Sequence, residues 1–246
     1  MTLAFDAREP APLLTVVVPA LRVDAELRRC IDSIRLVLPD ASDCEVVLVV
    51  PPRHVGGARQ RFPDARVVAE SRPSVYAAMN DGVAASTGRY LYFVGQDDVL
   101  LPVATEALKV LVAESPYVLF ADVYWGSDGV RRGRTSRWSV LFMNVCQQGI
   151  VYSREAVLAN GPYLRRLRVQ ADHLLNIRVL WHPAAKGRVR YLPRPLAWYA
   201  ATGMSFRTRD TVFHRVHAAI IGRYLGPVAA CLWRLYRRIR PEKTVS

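Results

Sequence analysis

The chain has 246 residues, 51% hydrophobic and 22% charged, so it is long enough to bury a core and too apolar to be a disordered segment. Thirty-four Lys and Arg against 21 Asp and Glu give a formal charge of +13, which points to acidic partners such as phosphate-bearing substrates and anionic lipid headgroups. No basic run with interleaved aromatics and no zinc-finger spacing is present, so nucleic acid is not an expected partner. The cysteines Cys30, Cys44, Cys146 and Cys231 form no C-x-x-C pair and sit in apolar settings, as buried free thiols of a reducing compartment do. The opening MTLAFDAREPAPLL lacks the basic region and long apolar core of a signal peptide, and no uninterrupted apolar span of about 20 residues follows. The expectation is a cytoplasmic protein, peripheral on the inner face of the plasma membrane.

In chain order, Leu13 to Val18 is a short β-branched run between Pro12 and Pro19 and reads as a buried strand. Leu27, Cys30, Ile31, Ile34 and Leu38 then fall on one helical face, with Asp24 placed as N-cap and Pro39 as stop. Glu45 to Val50 and Ala65 to Ala69 read as strands, and Gly56-Gly57 between them as a flexible turn. A helix over 75–85 carries Tyr76, Met79, Asn80 and Val83 on one side, with Gly88 near its exit. Tyr90 to Val94 is the next strand, Gly95 to Asp98 a turn, Pro102 to Ala113 a helix and Tyr117 to Val123 a strand ending near Asp122. This alternation predicts an α/β unit with a mostly parallel sheet flanked by helices. Residues 124–135 read as a loop, 138–152 as a mixed apolar segment, the region around Asp172 as a helix, and 189–198 as strand material interrupted by Pro193 and Pro195.

Asp97 and Asp98 stand where a strand stops, at the edge where open α/β sheets bind ligands, and Asp122 should join them there. Paired carboxylates at such a rim hold Mg²⁺ or Mn²⁺ against phosphate oxygens; an isolated Asp-Asp pair is also an ordinary helix N-cap or solvated turn. No P-loop or dinucleotide fingerprint occurs, and the five histidines show no H-E-x-x-H pairing. His214 and His217, at i and i+3 on a basic helix, read as surface residues.

Several motifs in order extend the signal: Glu70, Val75-Tyr76, Ala78-Met79-Asn80, Gly82, Thr87-Gly88, Phe93 and Asp97-Asp98, then Val145 to Gln148, Gly161-Pro162-Tyr163, Ala171-Asp172 with Asn176 and Arg178, and Gly203 with Ser205. From Leu14 to about Ser205 the chain resembles the inverting family 2 glycosyltransferases that decorate bacterial cell-surface polysaccharides and glycolipids. That resemblance implies a GT-A fold with a divalent cation, Mg²⁺ or Mn²⁺, held at Asp98. It places Pro19, Glu70, Tyr76, Met79, Asn80, Gln96 and Asp97 on the side of a nucleotide-diphosphate sugar donor. Asp122, Gln148 and Arg178 fall on the side of a lipid-linked or polysaccharide acceptor, and Asp172 takes the position of the catalytic base. An Asp early in a helix also favours the helix dipole, and Arg178 suits an ion pair with Asp172 as well as a phosphate contact.

The chain departs from the family pattern at Val50-Pro51-Pro52-Arg53, where an acid is usual, and at Pro73-Ser74, Ala77, Gln147 and Leu174. These losses motivate a second reading from another class, a non-catalytic subunit of the same fold that binds a partner transferase or a membrane surface. A nucleotidyltransferase is a third, against which stands the missing Gly-rich N-terminal nucleotide loop. The expected division is a donor-binding half over 1–123, an acceptor-binding and catalytic half over 124–205, and basic amphipathic helices over 206–246. This last stretch has nine Lys or Arg and two acids, and Thr211–Leu225 and Val228–Ile239 are helical patterns. Val228, Cys231, Leu232, Leu235 and Ile239 make an apolar face that suits either an anionic membrane surface or the protein's own core.

Overall fold

The computed structural model describes residues 11–40, 44–201 and 210–239. Gly203 and Ser205, the last pair of the sequence motifs, lie outside the described residues. The first half of the chain alternates strand and helix: β1 (Leu14–Pro19), α1 (Ala25–Val37), β2 (Cys44–Val50), α2 (Val55–Arg61), β3 (Arg66–Ala69), α3 (Val75–Ala85) and β4 (Tyr90–Phe93). Then come β5 (Val99–Leu100), α4 (Ala104–Glu114), β6 (Val118–Trp125), β7 (Val130–Arg131), β8 (Ile150–Ser153), α5 (Arg154–Asn160), α6 (Ala171–Trp181) and β9 (Val189–Tyr199). Two helices follow, α7 (Thr211–Leu225) and α8 (Pro227–Ile239).

One sheet runs through both halves in the order β3-β2-β1-β4-β8-β6-β9-β5, with β7 paired to β6. The ladders among β3, β2, β1 and β4 are parallel, as is β6 with β9, and these hold most of the registered pairs. Strand β8 runs antiparallel to both β4 and β6. As a result β6 and β9 point the same way as β4, and six strands end on one edge. Pro193 and Pro195 fit in β9 because the β6–β9 register slips there, Leu192 facing Ala121 and Pro195 facing Asp122.

The period-2 alternation of the strands splits the core into two layers. Val17, Val47, Val49, Leu91 and Phe93 face one side, which also holds Tyr76 and Met79 of α3 and the apolar residues of α5 and α6. Val16, Val18, Leu48, Val50, Tyr90 and Tyr92 face the other with α1 and α4. Asp24 caps α1 by accepting from the Leu27 N–H at 3.1 Å. Gly82 lets α3 lie against the sheet, since a Cβ there would come 2.3 Å from Val17 Cγ1.

Three local expectations are corrected. Gly56-Gly57 lies inside α2 and not in a turn, because the helix gains its hold through buried Ala58. Loop 124–135 contains β7, whose two residues pair with Val123 and Tyr124. The thiols do not all lie inside: Cys231 is exposed on α8.

Helix α7 is tied to the domain by its cap. Asp210 is buried, accepts from Phe213 N at 2.9 Å, and also takes the N–H groups of Arg168 and Val169. His217 is 5% exposed, contrary to its surface expectation, because its Nε2 reaches the Leu141 carbonyl at 2.7 Å. Helix α8 packs on α7 through Ala230, whose Cβ would stand 3.0 Å from a Cβ built on Gly222, and through Trp233 against His217. No helix among the described residues is long and apolar enough to cross a membrane.

Candidate active site

The carboxyl edge of the sheet gathers Pro19 at the end of β1, Val50 at the end of β2, Glu70 after β3 and the Gly95–Asp98 turn after β4. Strands β6 and β9 deliver Asp122 and Ala200 to the same edge, and antiparallel β8 brings its start, preceded by Gln147 and Gln148. Six strand ends and one strand start thus share this edge, and the segment leading into β8 bonds to two carboxylates there, Asp98 and Asp172.

Asp98 has no exposed surface. Its Oδ2 accepts from Gly95 N at 2.9 Å and Gln148 Nε2 at 2.7 Å, and its Oδ1 accepts from Ala200 N at 3.0 Å. Burial, with Asp97 beside it, pushes its pKa up to about 7 against these bonds. It is not a helix cap, since α4 starts after Val103. Asp97 is half-buried, and its carbonyl accepts from Arg29 at 3.3 Å. Gln96 reaches back to the end of β1, where its Oε1 takes the Leu21 N–H at 2.6 Å.

Asp172, in the first turn of α6, is buried, with Oδ1 accepting from Tyr76 Oη at 2.9 Å and Oδ2 from Asn144 Nδ2 at 2.6 Å. Burial raises its pKa, and the Asn144 and Tyr76 bonds oppose that rise. A five-residue segment, Asn144 to Gln148, therefore supplies one side-chain donor to each carboxylate. Between its ends, Gln147 Nε2 donates to Tyr163 Oη at 3.2 Å, and the Cys146 Sγ–H donates to Gln148 Oε1 at 3.1 Å. The Cys146 thiol, pushed up to about 12 by burial, also feels Asp98, Asp172 and Arg131. Arg131 lies 3.6 Å over the Trp125 ring, Trp125 packs on Tyr199, and Trp125 Nε1 is buried with no hydrogen-bond partner.

The remaining residues singled out from sequence have partners inside the fold. Asn80 clasps the backbone of Tyr163, donating to its carbonyl and accepting from its N–H, both at 2.9 Å. Tyr76 stacks on Tyr163 with ring centroids 5.6 Å apart, and Met79 is buried in the core. Asn80 thus steadies Tyr163, on which the Tyr76 ring that bonds to Asp172 is stacked. Asp122 takes the Gly133 N–H at 2.9 Å and the Tyr191 hydroxyl at 2.6 Å, so it fastens the β7 loop to β6. Arg178 turns away from Asp172 and donates to the Asn160 carbonyl at 3.3 Å, closing the end of α5. Gln148 is engaged with Asp98, not with Asp172. Glu70 is buried, its carboxyl raised by burial and lowered by Ser74 and by Arg53, the residue standing where an acid was expected. Thr87 and Gly88 are tied to Glu45 and Thr15. Leu174 packs against the core.

Sequence reasoning missed Asn144 and Ala200, which bond to Asp172 and Asp98. Asn144 directly precedes the Val145–Gln148 motif, which is the one signal that pointed near it.

The chain from residue 15 to 157 matches the family model for glycosyl transferase family 2. It belongs to glycosyl transferase family 2. This glycosyltransferase is 32% identical over 199 residues to a PGL/p-HBAD biosynthesis glycosyltransferase of Mycobacterium bovis, a match covering 74% of this chain and 75% of the relative. The same identity and coverage hold for the protein of that name from Mycobacterium tuberculosis. Among solved structures, S. aureus TarS 1-349 in complex with UDP-GlcNAc superimposes with a TM-score of 0.68 at 13% identity, covering 88% of this chain and 69% of that one. Mannosyltransferase PcManGT from Pyrobaculum calidifontis, in complex with GDP-Man and Mn²⁺, gives 0.60 at 16% identity over 95% and 77%. These likenesses show that the family 2 chain has the GT-A fold.

Proposed function

We propose that this glycosyltransferase moves a sugar from a nucleotide-diphosphate sugar to a cell-envelope glycolipid or polysaccharide acceptor, with inversion at the anomeric carbon. The observation that carries this reading is the Asn144–Gln148 segment, which holds one buried carboxylate at each end. Residues 1–123 bind the donor, 124–205 the acceptor and the base, and 206–246 an anionic membrane surface, on its cytoplasmic side.

Asp172 accepts the proton of the acceptor hydroxyl as that oxygen bonds to the anomeric carbon, and burial keeps the carboxyl basic enough to do so. Tyr76 and Asn144 orient it. On the opposite face of the sugar the bond to the diphosphate oxygen breaks, and the electron pair leaves with the nucleoside diphosphate. Pro19, Glu70, Gln96 and Asp97 line the donor edge, where Asp97 and Asp98 would hold Mg²⁺ or Mn²⁺.

The residues fit such an ion. Asp98 uses three of about four lone-pair positions on its protein bonds, leaving one on Oδ1. Among the described residues no cluster of three or more His, Cys, Asp or Glu makes a closed cage. An ion held by one or two carboxylates and a diphosphate needs none. When bound, it neutralises charge on the diphosphate.

Asp172→Asn keeps the shape and the Tyr76 partner while removing the base. Turnover should fall by about 10²- to 10⁴-fold, with donor affinity retained in a thermal-shift titration against UDP-, GDP- and dTDP-sugars with Mn²⁺. Unchanged turnover in that variant sinks the assignment of the base.

A further inference from the structure

Helix α8 is built inside out for a packing helix. Its inward contacts come from Ala230 and Trp233, while Val228, Leu232, Leu235 and Ile239 are 71%, 62%, 54% and 72% exposed. Their spacing of i, i+4, i+7 and i+11 lines them within about 60° of one another on the helix. Tyr236 flanks the stripe, and Arg234 and Arg238 stand along its other border.

The apolar surface does not stop at the helix. Phe142 lies 5.3 Å from Trp233, ring to ring, and Met143 beside it is 68% exposed. The next residue, Asn144, donates to Asp172. A continuous apolar face thus runs from α8 to the side chain that orients the proposed base. Between residues 211 and 239 there are five arginines and no Asp or Glu.

We infer that this face, the outer stripe of α8 with Phe142 and Met143, docks on an anionic bilayer and turns the Asp172 side of the site toward the headgroups. The occupant follows from charge and shape together: a stripe of aliphatic side chains bordered by arginines, with no Asp or Glu between residues 211 and 239, matches apolar acyl chains under negative headgroups. An acceptor anchored in that bilayer then presents its hydroxyl to Asp172 without leaving the membrane. This rests on the glycosyl-transfer reading above for the role of Asp172, while the docking itself does not.

The test uses the full chain and vesicles of phosphatidylcholine with or without about 30% phosphatidylglycerol. Retention should be about tenfold higher on the anionic vesicles and fall with added salt. Leu232→Glu combined with Leu235→Glu, both at exposed positions, should lose about tenfold in retention while melting and donor binding hold. In a Cys231→Ser background, an environment-sensitive fluorophore at Met143→Cys should shift to the blue on vesicles. The same probe at Leu36→Cys, 83% exposed on α1 across the sheet, should not.

Equal retention of the double variant overturns the inference. So does a Met143→Cys probe that stays in water, or a solution dimer that the double variant dissolves while vesicles retain nothing. Donor titration without vesicles separates the two claims: binding of a nucleotide sugar with no vesicle retention removes the docking face alone, and retention with no donor binding removes the transfer reading.

Discussion

Asp98 pays for its position in protons. In the unfolded chain its carboxyl titrates near 3.8; buried beside Asp97 it titrates at about 7. The folded state therefore binds the proton more tightly, so this group's stabilising contribution is full below about 4 and is lost as the pH rises through 7. His173 and His217 act oppositely: burial lowers each from 6.5 to about 4, so their contribution is present above 6.5 and is lost as the pH falls through 4. Asp98→Asn removes the first dependence and leaves the second. Melting curves from pH 5 to 8 should show the variant gaining on the native protein as pH rises; a constant difference would contradict the assigned shift. The acids were legible by their motifs, but their partners were not. The Ala200 N–H that meets Asp98 is 102 residues away in sequence, and no local pattern encodes such a bond. His217 was misread for the same reason, since the carbonyl that buries it belongs to Leu141.

At the scale of elements, most strands and helices of the donor half were readable because β-branched runs and i, i+3, i+4 periodicity are properties of neighbouring residues, whereas α2 was hidden by its Gly56-Gly57 pair. Strand β5 and the two residues of β7 were not, being too short to show a period and formed only by pairing with β9 and β6. The outer stripe of α8 was readable as amphipathic, whereas which face turns inward depends on α7 and Trp233. Helix α3 offers the sharpest test of packing. Gly82→Ala should gain about 1 kcal/mol in helix propensity, yet its Cβ meets buried Val17 Cγ1 at 2.3 Å, and overpacking of this kind costs about 1–3 kcal/mol. Val17 sits in the central ladder with no room to move, so urea unfolding should show a net loss.

Across the whole molecule, α7 and α8 are coupled to the site through the 139–145 stretch, where His217 holds the Leu141 carbonyl and Trp233 meets Phe142. Asp210→Ala removes the cap of α7 and leaves the Arg168 and Val169 N–H groups without their acceptor. The expected cost is about 1–3 kcal/mol, with faster hydrogen exchange at 139–145 as well as in α7. Exchange confined to α7 would show that the helices do not support the site. The segment next along the chain has a further consequence. Asn144 and Gln148 are four peptide units apart, so the backbone between them spans at most about 14 Å. The chain itself is thus a ruler laid between the carboxylate proposed for the donor and the one proposed for the acceptor. Its end side chains hold the two carboxylates, and adding or deleting a residue between them would recalibrate the gap between the two halves of the reaction.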